Sequence, residues 1–213
     1  MKILLKALAA AAMLLAAPAA AAPSWKDFPG VENTSFTEPS GDKVMQLSIV
    51  VPAPRAEVWR AFTTSEGYRS WATPLAAVDL RVDGIIETSY LADAKLGAPD
   101  NIKNQITAYV PERMIALRNV QSPPGFPCPK FREIAVTVEL EDAGPAATKV
   151  IFTGVGYKPE PEFQTLYGHF EWGNAYSLAE LKKRFETGPV DWADRAARAK
   201  AVAADRQVRA GKP

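Results

Sequence analysis

Apolar residues occupy every second position from Asp42 to Val51, with Met45, Leu47, Ile49 and Val51 on one side. This is the pattern of a strand with one buried face. Pro52 and Pro54 stop it, and Pro54 suits the first position of a helix. The spacing then shifts: Arg55 to Thr63 puts Val58, Trp59 and Phe62 on one helical face. Thr64 or Ser65 can cap a second short helix, in which Tyr68 and Trp71 lie three residues apart.

Extended patterns return after that pair of helices. Leu75 to Val82 leads through Asp83-Gly84 into Ile85 to Leu91. Asp-Gly between two extended runs predicts a two-residue hairpin, since the primed turn needs positive φ. Ile102 to Val110 carries Ile102, Ile106, Ala108 and Val110 on one face, and Pro111-Glu112 turns it into Met114 to Val120. A Pro-rich loop, Ser122 to Lys130, holds Cys128. Ile134, Val136, Val138 and Leu140 then alternate, and after the loop 142–147 Val150 and Phe152 mark a last strand. Strands joined in succession by short turns predict an antiparallel meander.

A long helix closes the pattern. Pro161 opens it, Lys182, Lys183 and Arg184 suit the negative end of its dipole, and Gly188-Pro189 stops it. Phe163, Tyr167 and Phe170, then Asn174, then Leu178, Leu181 and Phe185 recur at spacings of three and four. They form a single stripe that should bury against the sheet. Asn174 is its polar exception.

The flanks read differently. Lys2 and Lys6 border a short apolar stretch, Ala7 to Ala17, followed by Pro18 and alanines. A positive start, a short apolar centre and small residues at the end predict a secretory signal peptide over residues 1–21, cut near Ala21/Ala22. The apolar stretch is too short for a bilayer span, so no stable membrane anchor is expected after cleavage. The mature chain is then expected in the periplasm or secreted. Residues 22–41 read as an irregular arm whose Trp25 and Phe28 tuck against a domain over 42–188. Residues 189–213, rich in Ala, Arg and Asp, read as a C-terminal tail, a frayed helix passing into disorder.

Composition narrows the chemistry. With 213 residues, 47% of them hydrophobic, the chain can bury one sizeable core. Twenty-five basic against 24 acidic residues leave no basic field to draw nucleic acid. A single Cys excludes an internal disulfide framework and a thiolate zinc cluster. A single His, His169, argues against an imidazole metal site, so neither metal nor cofactor is expected.

The order strand, two short helices, six strands and long helix resembles the START-like superfamily, also called SRPBCC. Its polyketide cyclase and heat-shock-chaperone ATPase activator-like branches look most similar. The resemblance rests on Val51-Pro52-Ala53-Pro54 with Val58-Trp59 and Phe62-Thr63-Thr64, then Trp71, and on Asp79 to Gly84. It continues through Ile106 to Pro111 with Arg113-Met114 and ends on Leu178 and Leu181-Lys182. Where relatives often show Gly-Gly, this chain has Asp83-Gly84. The resemblance implies an α+β helix-grip: a curved antiparallel sheet of about seven strands wrapped around the C-terminal helix, with an apolar cavity between them. It also implies a hydrophobic or amphipathic small-molecule ligand.

Candidate ligand contacts follow from that cavity. Trp59, Phe62 and Trp71 come from the short helices, Tyr90 and Phe152 from strands, and Tyr167 and Phe170 from the long helix. Polar candidates are Asn104 between Ile102 and Ile106, Arg118 after Ala116, and Asn174, since a few convergent polar groups orient small ligands. Asn104 is also a possible partner for Asn174. Glu87 and Asp79 are carboxylates for a cyclase-type proton transfer or simply solvated. No Gly-x-Ser-x-Gly elbow is present, and no catalytic residue is assigned. Three functions fit: a periplasmic carrier or sensor, a cofactor-independent cyclase, hydratase or hydrolase, and a protein-interaction module.

Overall fold

The computed structural model describes residues 24–91, 93–124 and 129–198. The signal peptide at 1–21, Cys128 and the tail beyond residue 198 lie outside the described residues. Seven long strands match the pattern: β3 (Lys43–Val51), β4 (Leu75–Val78), β5 (Ile85–Ser89), β6 (Ile102–Val110), β7 (Met114–Gln121), β8 (Ala135–Asp142) and β9 (Thr148–Tyr157). Two short strands, β1 (Glu32–Asn33) and β2 (Phe36–Thr37), add to them. The helices are α1 (Arg55–Thr63), α2 (Ser65–Arg69) and α3 (Pro161–Thr187).

All strands join one antiparallel sheet in the order β1-β3-β9-β8-β7-β6-β5-β4, with β2 also on β3. The alternation in β3 is realised in full, with Met45, Leu47, Ile49 and Val51 at most 2% exposed. The excursion through α1 and α2 carries the chain from β3 to the far edge at β4. From there the meander returns until β9 closes beside β3, pairing Phe152 with Leu47. This is the helix-grip architecture that the order of elements implied.

The position of α3 creates the cavity. Phe163, Leu166, Ala175, Leu178 and Leu181 are buried, and the helix packs chiefly on β3 and β9. Tyr167, Phe170 and Asn174 are only half-buried. The helix therefore grips one half of a curved sheet, and the inner faces of β5 to β8 stand away from it.

Four local expectations are corrected. Residues 24–41 are not wholly irregular, since Val31 is buried and β1 and β2 extend the sheet edge along β3. Their Asn33 Nδ2 also donates to Glu171 Oε1 of α3 at 3.0 Å. The hairpin at Asp83-Gly84 is wider than two residues: β4 ends at Val78, where it pairs with Ile86. Asp83 does take positive φ, 64°, and a methyl on Gly84 would collide with the Asp79 carbonyl oxygen. Asp83 and Gly84 instead exchange backbone hydrogen bonds with Ile106 of β6.

The third correction is Val110, which is 45% exposed rather than inward. An extra residue in β6 between Ile106 and Ala108 shifts the register against β7, so Tyr109 turns to the core instead. The fourth is the start of the tail, whose expected helix docks onto the fold instead of fraying. Residues 192–198 are helical, and Trp192 Nε1 donates to the Arg69 carbonyl at 2.6 Å. Val190 N donates to the Ser70 carbonyl at 2.9 Å, so this segment docks back onto the end of α2.

Candidate functional site

Between α3 and strands β5 to β8 lies a cavity of about 400 Å³. That volume is within the range of small-molecule sites. One end is an aromatic corner. Thr64 caps α2 by accepting from Gly67 N at 3.0 Å, and Ser65 Oγ accepts from Val78 N at 2.9 Å, pinning α2 to β4. This brings Tyr68 against Trp71, with ring centroids 5.6 Å apart, and Trp71 edge-on to Phe62 at 5.2 Å. The indole is fixed because Trp71 Nε1 donates to the Ala61 carbonyl at 3.0 Å. On the helix side Phe170 stacks on Phe131 at 4.6 Å.

The period-two faces of the strands supply the floor. Ile86, Thr88 and Tyr90 point into the cavity from β5 and its end, and Leu117 and Asn119 from β7. Asn104 of β6 lies between them, paired in register with Ile86 on one side and Asn119 on the other. Asn119, 4% exposed, is fully engaged. Its Nδ2 donates to the carbonyls of Gln121 at 2.9 Å and Lys103 at 3.3 Å and to Asn104 Oδ1 at 3.2 Å. Its Oδ1 accepts from Ser122 Oγ at 2.8 Å.

At the rim sits Glu180, whose side chain is 16% exposed and pairs with Arg195 of the docked tail at 2.6 Å. Burial pushes the Glu180 carboxyl above its ordinary range, while nearby Lys183 pulls it back. Burial also raises the hydroxyls of Tyr68 and Tyr157 far above the ordinary tyrosine value of 10.0, so both remain neutral donors.

Of the candidate contacts, Phe62, Trp71, Tyr90 and Asn104 line this cavity. So do Phe152, Phe170 and Asn174. Tyr90 stands at the mouth, 65% exposed. Two candidates lie elsewhere. Trp59 turns toward Tyr109 at 6.4 Å and is buried in the core beyond the cavity. Tyr167 meets Tyr157 edge-on at 5.3 Å under the Lys43 ammonium, on the side of α3 that faces β3.

The other polar candidates also resolve. Arg118 is exposed, because Ile115 and Asn119 are the buried positions of β7. Glu87 points away from the cavity; its Oε1 accepts from Gly97 N and Asn101 Nδ2, both at 2.7 Å, and so ties down the loop after β5. Asp79 forms an exposed pair with Arg81 at 2.8 Å. Thr88, Asn119 and Glu180 are lining residues absent from the candidates. The alternation Ile86-Thr88-Tyr90 was available to find the first.

Asn174 meets the Met45 thioether at 3.5 Å, not Asn104, which Asn119 has already engaged. Sulfur is a weak acceptor. Asn174→Leu is therefore expected to leave the melting temperature unchanged or raised in a thermal melt. A clear drop would mark the amide as a structural partner.

Solved structures share this architecture. The Aha1 dimer from Colwellia psychrerythraea is 19% identical with a TM-score of 0.53, over 68% of this chain and 97% of that one. SSP2350 from Staphylococcus saprophyticus is 19% identical with a TM-score of 0.52, over 70% and 96%. CalU16 from Micromonospora echinospora is 20% identical with a TM-score of 0.50, over 81% and 94%. At such identities the likeness is one of fold. No curated protein matches. The family model for activator of Hsp90 ATPase homolog 1-like proteins matches residues 52–186, from the end of β3 to the last turn of α3. That span contains both the gripping helix and every strand of the cavity floor, and the chain belongs to this family.

Proposed function

We propose that the protein binds a hydrophobic or amphipathic small molecule in the cavity between sheet and α3, as a carrier or sensor outside the cytoplasm. The observation that carries this reading is the cavity itself: about 400 Å³ with aromatic and aliphatic walls and a few inward polar groups. A space of that size would cost stability if it served only as core, because each missing contact forfeits packing energy. Residues 1–21 support export, having the composition of a cleavable leader.

Native mass spectrometry of protein purified from the envelope fraction of its host tests both parts. The expected spectrum is a chain beginning at Ala22 with a non-covalent small molecule that is lost on denaturation. A chain with Met1 intact would overturn the location. A mass equal to the bare polypeptide in every preparation would count against ligand carriage.

A further inference from the structure

The cavity contains hydrogen-bond donors that the protein does not use. Asn119 is held by the Gln121 and Lys103 carbonyls and by Ser122, so its Nδ2 faces Asn104. Asn104 must answer with Oδ1, which turns its own amide N–H₂ the other way. Among the described residues that N–H₂ has no acceptor, and it lines the cavity. Thr88 lies diagonally across the β5–β6 pair from Asn104, on the same face: Ile86 pairs with Asn104 and Thr88 with Ile102. Thr88 is 4% exposed and lines the cavity, and its hydroxyl makes no hydrogen bond among the described residues. Two neutral donors therefore face the cavity from its floor, while Tyr68, Tyr157, His169 and Ser177 add polar groups elsewhere in its lining.

The charge of the lining limits what they can receive. Among the described residues no Lys or Arg lines the cavity, though His169 does, and its carboxylate, Glu180, is already paired with Arg195 at the rim. A ligand carboxylate would shed its water there without gaining a lysine or arginine partner, which is costly. An uncharged oxygen acceptor can satisfy the donors without that penalty.

We propose that Asn104 and Thr88 form the polar anchor of the cavity, and that its ligand is an uncharged apolar molecule carrying a carbonyl-type oxygen. This rests on the ligand-binding reading above. Asn119 acts as a positioning residue, fixing which end of the Asn104 amide faces the ligand.

Three probes with one apolar body separate the possibilities: acetylnaphthalene, ethylnaphthalene and, at neutral pH, naphthoate. Binding to the full chain is measured by calorimetry. Acetylnaphthalene is expected to bind about tenfold more tightly than ethylnaphthalene, equivalent to about 1.4 kcal/mol. Naphthoate is expected to bind most weakly. Asn104→Leu should abolish the preference for the ketone while keeping hydrocarbon binding. The variant should fold, because Asn119 Nδ2 retains the Gln121 and Lys103 carbonyls. Thr88→Val, nearly isosteric, should reduce the same preference as a second check. Equal affinity for ketone and hydrocarbon, tightest binding of naphthoate, or a preference untouched in both variants would overturn the anchor while leaving the binding site standing. Failure of all three probes to bind would overturn the ligand-binding reading and the anchor with it.

Discussion

Replacing Phe163 by alanine is expected to destabilise the fold by about 3–5 kcal/mol, the usual cost of deleting a fully buried aromatic ring. Phe163 is 0% exposed in the first turn of α3. Its ring lies under two ammonium groups, Lys130 Nζ at 5.2 Å and Lys158 Nζ at 5.4 Å from the centroid. Both the apolar contact and the cation–π attraction are lost in the variant. Leu166, 1% exposed one turn later, depends on the same docking of the helix start. Phe170 is the control. It is half-buried at the cavity wall, where some of its surface already faces empty volume, so Phe170→Ala should cost clearly less. Urea unfolding of the two variants checks this. Equal losses would mean that α3 is packed uniformly along its length, with no unfilled space beside Phe170.

The same contrast shows what could be read from the sequence. Met45 to Val51 and Ile134 to Leu140 alternate cleanly because one face of each strand is covered by apolar neighbours. The stripe of α3 marked the gripping helix for a similar reason, although Leu166 and Ala175, both buried, fall outside the spacing chosen for it. Faces were misjudged where the backbone departs from a regular ladder. The irregularity after Ile106 reverses Val110 and Tyr109, and it depends on register with β7, which local sequence does not contain. Arg118 stands on the exposed face of β7, and the buried Asn119 beside it carries no periodic signal that marks it. Only the bonds from Asn119 to Lys103, Asn104 and Gln121 explain its burial. Glu180 and Arg195 escaped notice because their pairing requires the tail to fold back, a contact between α3 and a segment beyond its end.

Membership in the activator family describes the frame more than the site. Trp59 illustrates the difference: it belongs to the pattern that carries the resemblance, yet here it supports the core beside Tyr109. The polar floor of this cavity is set by Thr88, Asn104 and Asn119, on the inward faces of β5, β6 and β7.

Filling the cavity without disturbing its walls tests the account most directly. Leu117 is half-buried at the centre of β7, between Ile106 and Val136, and faces the open volume. A tryptophan there has space to enter instead of a packed core to displace, so overpacking strain is avoided. The measurement is a fluorescence titration of wild type and Leu117→Trp with prodan, an uncharged acylnaphthalene dye, alongside a thermal melt of each protein. The account predicts saturable binding to wild type, an unchanged melting temperature in the variant, and an affinity lowered at least about a hundredfold, or about 2.8 kcal/mol. Equal affinity in the two proteins at equal stability, or no saturable binding to wild type, would contradict a binding site between the sheet and α3.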